Sequence, residues 1–128
     1  MDWYFMEFGN QSTSVELMII KAENHEWVSA RQVASLLLRM SEHTLRKELN
    51  ARDWRRLLAK DRNVLQLLAN HGLLGDGEAC QIGKARSANL ISLESLPALV
   101  KQLRPRDYEL QSMVFEALVR KESDSRNE

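Results

Sequence analysis

Between residues 39 and 47 the chain collects side chains suited to a polyanion. Arg39, Arg46 and Lys47 carry positive charge, while Ser41, His43 and Thr44 donate or accept hydrogen bonds. Cations of this kind pair with phosphate oxygens, and hydroxyl, imidazole and ammonium groups can address base edges in a duplex groove. Arg52 and Arg55 follow closely and extend the charge. From Arg31 to Arg62, nine Lys or Arg stand against four Asp or Glu, a local charge of +5; the whole chain is neutral, so the remainder carries −5. Such a basic face attracts phosphate, and the acidic remainder limits indiscriminate association. The same residues also suit a solvated helix surface on which Glu48 and Arg52 pair at i, i+4.

Two short helices are expected to position these groups. In residues 31–38, Val33, Ala34, Leu36 and Leu37 share one helical face. Arg39-Met40-Ser41 breaks the pattern, and the Ser41 hydroxyl suits an N-cap. Residues 42–50 then bury Leu45 and Leu49 and leave His43, Thr44, Arg46 and Lys47 outside. A short helix, a tight turn and a capped helix with a basic outer face make a helix-turn-helix-like unit. On double-stranded DNA, Ser41, His43, Thr44 and Lys47 would face base edges, with Arg39, Arg46, Arg52 and Arg55 on phosphates. An ordinary helical hairpin within a core shows the same pattern.

Val33-Ala34, Leu36-Leu37, Ser41 and Thr44-Leu45-Arg46 resemble the helix-turn-helix of bacterial and phage DNA-binding regulators. The chain departs from that pattern in two places. Leu38 or Arg39 stands where a small residue opens the turn, and the turn is one residue longer. A second resemblance spans residues 15–119. A strand pair, Glu26-Trp27-Val28-Ser29-Ala30 and a helix opening Gln32-Val33-Ala34 are similar to the start of the Bro-N type domain of phage antirepressors. Residues 87–103, SANLISLESLPALVKQL, resemble the closing segment of that domain. These resemblances imply a phage- or bacterium-encoded transcriptional regulator or antirepressor that binds DNA. A homodimer is expected, because helix-turn-helix modules usually read two half-sites related by a two-fold, with the aromatic N-terminus and the last helix as its candidate interface.

At 128 residues the chain is long enough for one core. No apolar run approaches the ~20 residues that span a bilayer. The beginning of the sequence lacks a basic signal-peptide region, and Cys80 is the sole cysteine, which suits a reducing cytoplasm. Residues 1–14 are expected to form an N-terminal arm. Its Trp3, Tyr4, Phe5 and Phe8 are half of the eight aromatics and a candidate partner or dimer interface. Residues 15–120 are expected as one globular domain, and 121–128 as a disordered tail.

Within that domain, residues 15–20 suit a strand, Trp27-Val28 a return strand, and Ser29 a helix cap. Residues 51–70 are expected as one long helix with Trp54, Leu57, Leu58, Val64, Leu65 and Leu68 buried, ended by Gly72. Residues 78–82 and 86–91 suit a hairpin around Gly83, with Lys84 and Arg86 at its tip, where they either stay solvated or, as in a winged helix-turn-helix, touch the DNA backbone. A helix with Leu96, Leu99, Val100 and Leu103 inward stops at Pro105, and Asp107 caps a last helix burying Leu110, Val114, Leu118 and Val119. The expected fold class is α+β: a mainly helical single domain with the helix-turn-helix-like unit and one or two short β-hairpins.

Catalytic chemistry finds little footing. His25, His43 and His71 are scattered without metal-ligand spacing, and no serine sits in a nucleophile elbow. Neither enzyme activity, a metal nor a cofactor is expected. The alternative to DNA binding is a small inhibitor or interaction protein that binds and blocks a host or phage protein. Zero net charge and the aromatic N-terminus favour it.

Overall fold

Residues Leu17, Met18, Ile19 and Ile20 are buried in succession along one strand. Alternate side chains of a strand point to opposite faces, so an unbroken apolar run needs a sheet covered on both sides. The computed structural model, which describes residues 2–9, 12–51, 56–73 and 88–126, shows that arrangement. This strand is β2, Ser14–Ala22. It pairs on one side with β1, Asp2–Gly9, and on the other with β3, His25–Ser29. The β2–β3 connection is a two-residue turn with Glu23 and Asn24 both at positive φ, 52° and 64°, which matches the twist of paired strands. Beyond β3 lie β5, Ala88–Ser92, and β4, Arg56–Ala59, completing an antiparallel sheet of order β1-β2-β3-β5-β4.

One face of the sheet presents Met6, Phe8, Leu17, Ile19, Val28 and Ile91. Four helical elements cover it: α1, Ala30–Gln32, which continues as a π-helical stretch Val33–Leu38; α2, Glu42–Ala51; α4, Leu96–Leu103; and α5, Tyr108–Arg126. The other face presents Met18, Ile20, Trp27 and Leu90 to Val64, Leu65 and Leu68 of α3, Arg62–Asn70. Asp61 caps α3 by accepting from the Asn63 and Val64 amides. Gly72, at φ +68°, closes its far end, where Leu73 N–H bonds to Leu68 O at 2.8 Å and Gly72 N–H to Ala69 O at 3.0 Å.

The expectation of a mainly helical domain with one or two short hairpins is therefore corrected. The fold is α+β, but a five-stranded antiparallel sheet organises it. Two strands were hidden. The stretch expected as an arm contains β1, paired residue for residue from Asp2↔Lys21 to Gly9↔Ser14. The long helix expected over 51–70 is instead the end of α2, then β4, then α3. The Asp61 cap breaks that run, because a side chain capping a helix start takes a non-helical backbone, here φ −63° and ψ 129°. The hairpin expected from 78–82 and 86–91 falls partly outside the described residues. Its described part is β5, paired on both sides at Leu90 and Ile91 by β3 and β4. Trp54 and Cys80 lie outside the described residues. Val119, expected inside, is 48% exposed, while Val114 is buried.

A buried glutamine joins the sheet to the helices. Where β3 turns into α1, β2 runs on, and Met18 has no strand neighbour on the β3 side, though it faces Phe5 of β1 on the other. The Gln32 carboxamide takes that place: its Oε1 accepts from Met18 N–H at 2.7 Å, and its Nε2 donates to Met18 O at 3.2 Å and Ser29 Oγ at 3.1 Å. Gln32 is 3% exposed, and buried polar groups need such partners.

Candidate nucleic-acid interface

The helix-turn-helix-like unit grows from this joint. Ser29 Oγ caps α1 by accepting from Gln32 N–H. Val33, Ala34, Leu37 and Leu38 are then buried, and Leu36 is 38% exposed. A π-helical stretch houses one more residue per turn than an α-helix and often sits beside a functional element. The stretch ends on Arg39 at φ 54°, a left-handed conformation that a non-glycine residue adopts at a cost of roughly 1–2 kcal/mol. Ala34 O receives Met40 N–H at 3.0 Å, and Leu38 O receives Arg104 Nη2 at 2.7 Å, so the turn is tied to the end of α4.

The second helix begins at Ser41, whose hydroxyl accepts from Thr44 N–H at 3.1 Å. The Ser41 and Thr44 hydroxyls also lie 2.8 Å apart, hydrogen-bonded to each other. Both are exposed, and this pairing gives them a positioning role at the start of α2. Arg31 and Glu42 approach to 3.9 Å, linking the two helices. Of ten residues in α2, two are buried, Leu45 and Leu49. His43, Arg46 and Lys47 are exposed, as is Arg39 at the turn. The i, i+3, i+4 spacing puts His43, Arg46 and Lys47 on one stripe away from the leucines.

The structure thus brings together Arg39, Ser41, His43, Thr44, Arg46 and Lys47 on one turn and one helix face. Arg52, Arg55, Lys84 and Arg86 lie outside the described residues. The aromatic group from the N-terminal stretch divides. Phe8 is fully buried in the core. Tyr4 is half-buried, donating from its hydroxyl to Glu26 Oε1 at 2.9 Å, and Lys121 Nζ meets the other Glu26 oxygen at 2.6 Å. Burial, then the hydrogen bond to Glu26 and its negative charge, push the Tyr4 phenol well above its usual range and keep it neutral. Trp3 and Phe5 remain at the surface, 39% and 52% exposed. Their rings meet edge-to-face at 5.4 Å, beside His71 at 5.0 and 6.0 Å.

Sequence reasoning missed Gln32 and Arg104, which fix the unit in place, because their partners are backbone atoms distant in sequence or carried by another element. His25, His43 and His71 stand on separate elements. Among the described residues, no cluster of three or more His, Cys, Asp or Glu could hold a metal, and no helix is long and apolar enough to cross a membrane. Comparisons with protein-family models, with curated proteins and with solved structures found no match for this chain.

Proposed function

We propose that the protein is a DNA-binding transcriptional regulator or antirepressor of phage or bacterial type, presenting α2 to double-stranded DNA. The observation that carries this reading is the exposure of α2. It anchors by Leu45 and Leu49 alone and turns His43, Arg46 and Lys47 outward, with Arg39 held beside them at the turn. Arg39 and Arg46 take phosphates, Lys47 and His43 reach toward base edges, and Ser41 with Thr44 fixes the start of the helix. A local charge of +5 over residues 31–62 on a neutral chain supports attraction at close range without general stickiness. Fluorescence anisotropy of a labelled pool of random-sequence duplexes at low salt tests the reading. Saturable binding lost on adding salt supports it, and flat anisotropy overturns it.

A second reading, a non-enzymatic protein that binds and blocks another protein, draws on the exposed Trp3 and Phe5. Those rings sit beside His71 on the sheet face that carries α3, whereas α2 belongs to the opposite layer. Phe5→Ser separates the readings, because it should leave DNA association intact and weaken capture of a protein partner.

A further inference from the structure

β1 is an outer strand of the sheet. In an antiparallel sheet, successive residues turn their N–H and C=O to opposite neighbours. Met18 turns both to the β3 side, where Gln32 bonds them. The β2 residues that bond β1 are therefore Val15, Leu17, Ile19 and Lys21, opposite Phe8, Met6, Tyr4 and Asp2. Trp3, Phe5 and Glu7 turn their N–H and C=O outward, and among the described residues these groups have no backbone partner. Folded proteins close such an edge with a short strand, lysine, proline or a bulge. The opposite edge, β4, is four residues long. β1 runs for eight residues in unbroken register, with neither Lys nor Pro. The side chains of the same three residues share the α3 face with Ile20, Met18 and Glu16 across the pair. Trp3 and Phe5 are exposed there, backed by His71. Next along the strand, Glu7 stands directly opposite Glu16; both are exposed, and among the described residues neither meets a cation. Like charges so placed are unfavourable, and a cation beside them relieves the opposition.

From this geometry we infer that β1 takes an added strand: an extended segment of another protein in which a basic residue is followed, two and four positions on, by apolar ones. Outward backbone groups at alternate residues bond only an extended chain in register, and pockets for alternate side chains then give specificity. Antiparallel, like the rest of the sheet, the segment sets its basic residue against Glu7 and its two apolar residues against Phe5 and Trp3. The cation answers the acidic pair, and the apolar residues cover the two rings. A second copy of β1 lacks that cation, since its only charges are Asp2 and Glu7. The inference rests on the protein-binding reading and gives it a partner class; it does not involve α2 or DNA.

Labelled heptapeptides Thr-Arg-Thr-Z-Thr-Z-Thr, with Val, Leu or Phe at Z, test the inference by fluorescence anisotropy and by hydrogen exchange of assigned amides. In the free protein the amides of Tyr4, Met6 and Phe8 should be protected and those of Trp3, Phe5 and Glu7 should exchange fast. Bound peptide should slow the second set about tenfold or more. Methylating the nitrogen of the first Z residue, which faces Phe5, should lower affinity about tenfold or more, whereas methylating the threonine after it, whose N–H points away, should not. Glu7→Lys should reverse the preference for the arginine peptide over its glutamate counterpart, and Lys opposite Glu16 keeps the strand pair favourable. No saturable binding by any peptide of the panel, or binding indifferent to which nitrogen is methylated, would overturn the inference. So would a native chain in which the Trp3, Phe5 and Glu7 amides are protected without peptide, because the edge would already be taken. Binding that Phe5→Ser abolishes, but that protects no β1 amide, would keep the protein-binding reading and overturn the added strand.

Discussion

Replacing Gln32 by methionine keeps the length and volume of the side chain and removes its hydrogen bonds. The change isolates the polar joint between sheet and helix-turn-helix-like unit. In the native protein the carboxamide satisfies both Met18 N–H and Met18 C=O, and Met18 and Gln32 are 1% and 3% exposed. A buried group left without a partner costs about 1–3 kcal/mol, so two orphaned groups put the loss at about 2–6 kcal/mol. Small domains are stable by about 5–15 kcal/mol, so this is a large fraction of the total. Ser29 Oγ keeps the Gln32 backbone N–H, so the helix cap itself survives. Urea denaturation followed by circular dichroism reads the effect as a midpoint lowered by about 1 M or more at unchanged slope. A loss below about 0.5 kcal/mol would refute the reasoning, because it would show that the Met18 groups find other partners without the glutamine.

Arg39→Gly relieves a left-handed backbone, and it should raise stability by about 0.5–1 kcal/mol after allowing for the extra freedom of glycine in the unfolded chain. The same change removes a cation from the interface, so DNA association should weaken and lose about one unit of salt slope; a thermal melt beside an anisotropy titration checks both halves. Phe8→Ala should cost about 3–5 kcal/mol and Phe5→Ala less than about 1 kcal/mol, because one ring is in the core and the other is at the surface. Equal losses in chemical denaturation would contradict the placement of β1.

Local signals carried well from sequence to structure. Ser41 and the Leu45–Leu49 spacing act within one or two turns, and α2 lies where they place it, with the polar residues outward. The β2–β3 hairpin and the Ser29 cap are local in the same sense. Elements that depend on distant partners were harder to see. Arg56–Ala59 reads as Arg-Leu-Leu-Ala, and its leucines continue the helical stripe of Val64, Leu65 and Leu68. Its strand conformation comes from pairing with β5, some thirty residues on, from Arg56↔Ile91 to Ala59↔Ala88. β1 did show a period of two, with Met6 and Phe8 inward and Phe5 and Glu7 outward, but the density of rings drew attention to stickiness instead. In α5, a stripe of leucines and valines accounted for a helix, but Val119 falls outside its buried side, because apolar spacing does not say which face the protein covers.

The central claim is that α2 presents its cations to DNA, and the salt dependence of binding addresses it most directly. Observed affinity for a duplex falls with salt at a slope of about −0.9 per neutralised phosphate, so the two phosphate contacts of Arg39 and Arg46 give about −1.8 per chain. That corresponds to roughly a 12-fold loss between 50 and 200 mM salt. Reversing charge at Arg46 and Lys47 together should flatten the slope by about one unit or more and leave the melt in place, since both side chains are exposed. The account predicts a steep slope for the native chain and a shallow one for the double variant. No salt-sensitive association at low ionic strength, or the same slope in both proteins, would contradict it.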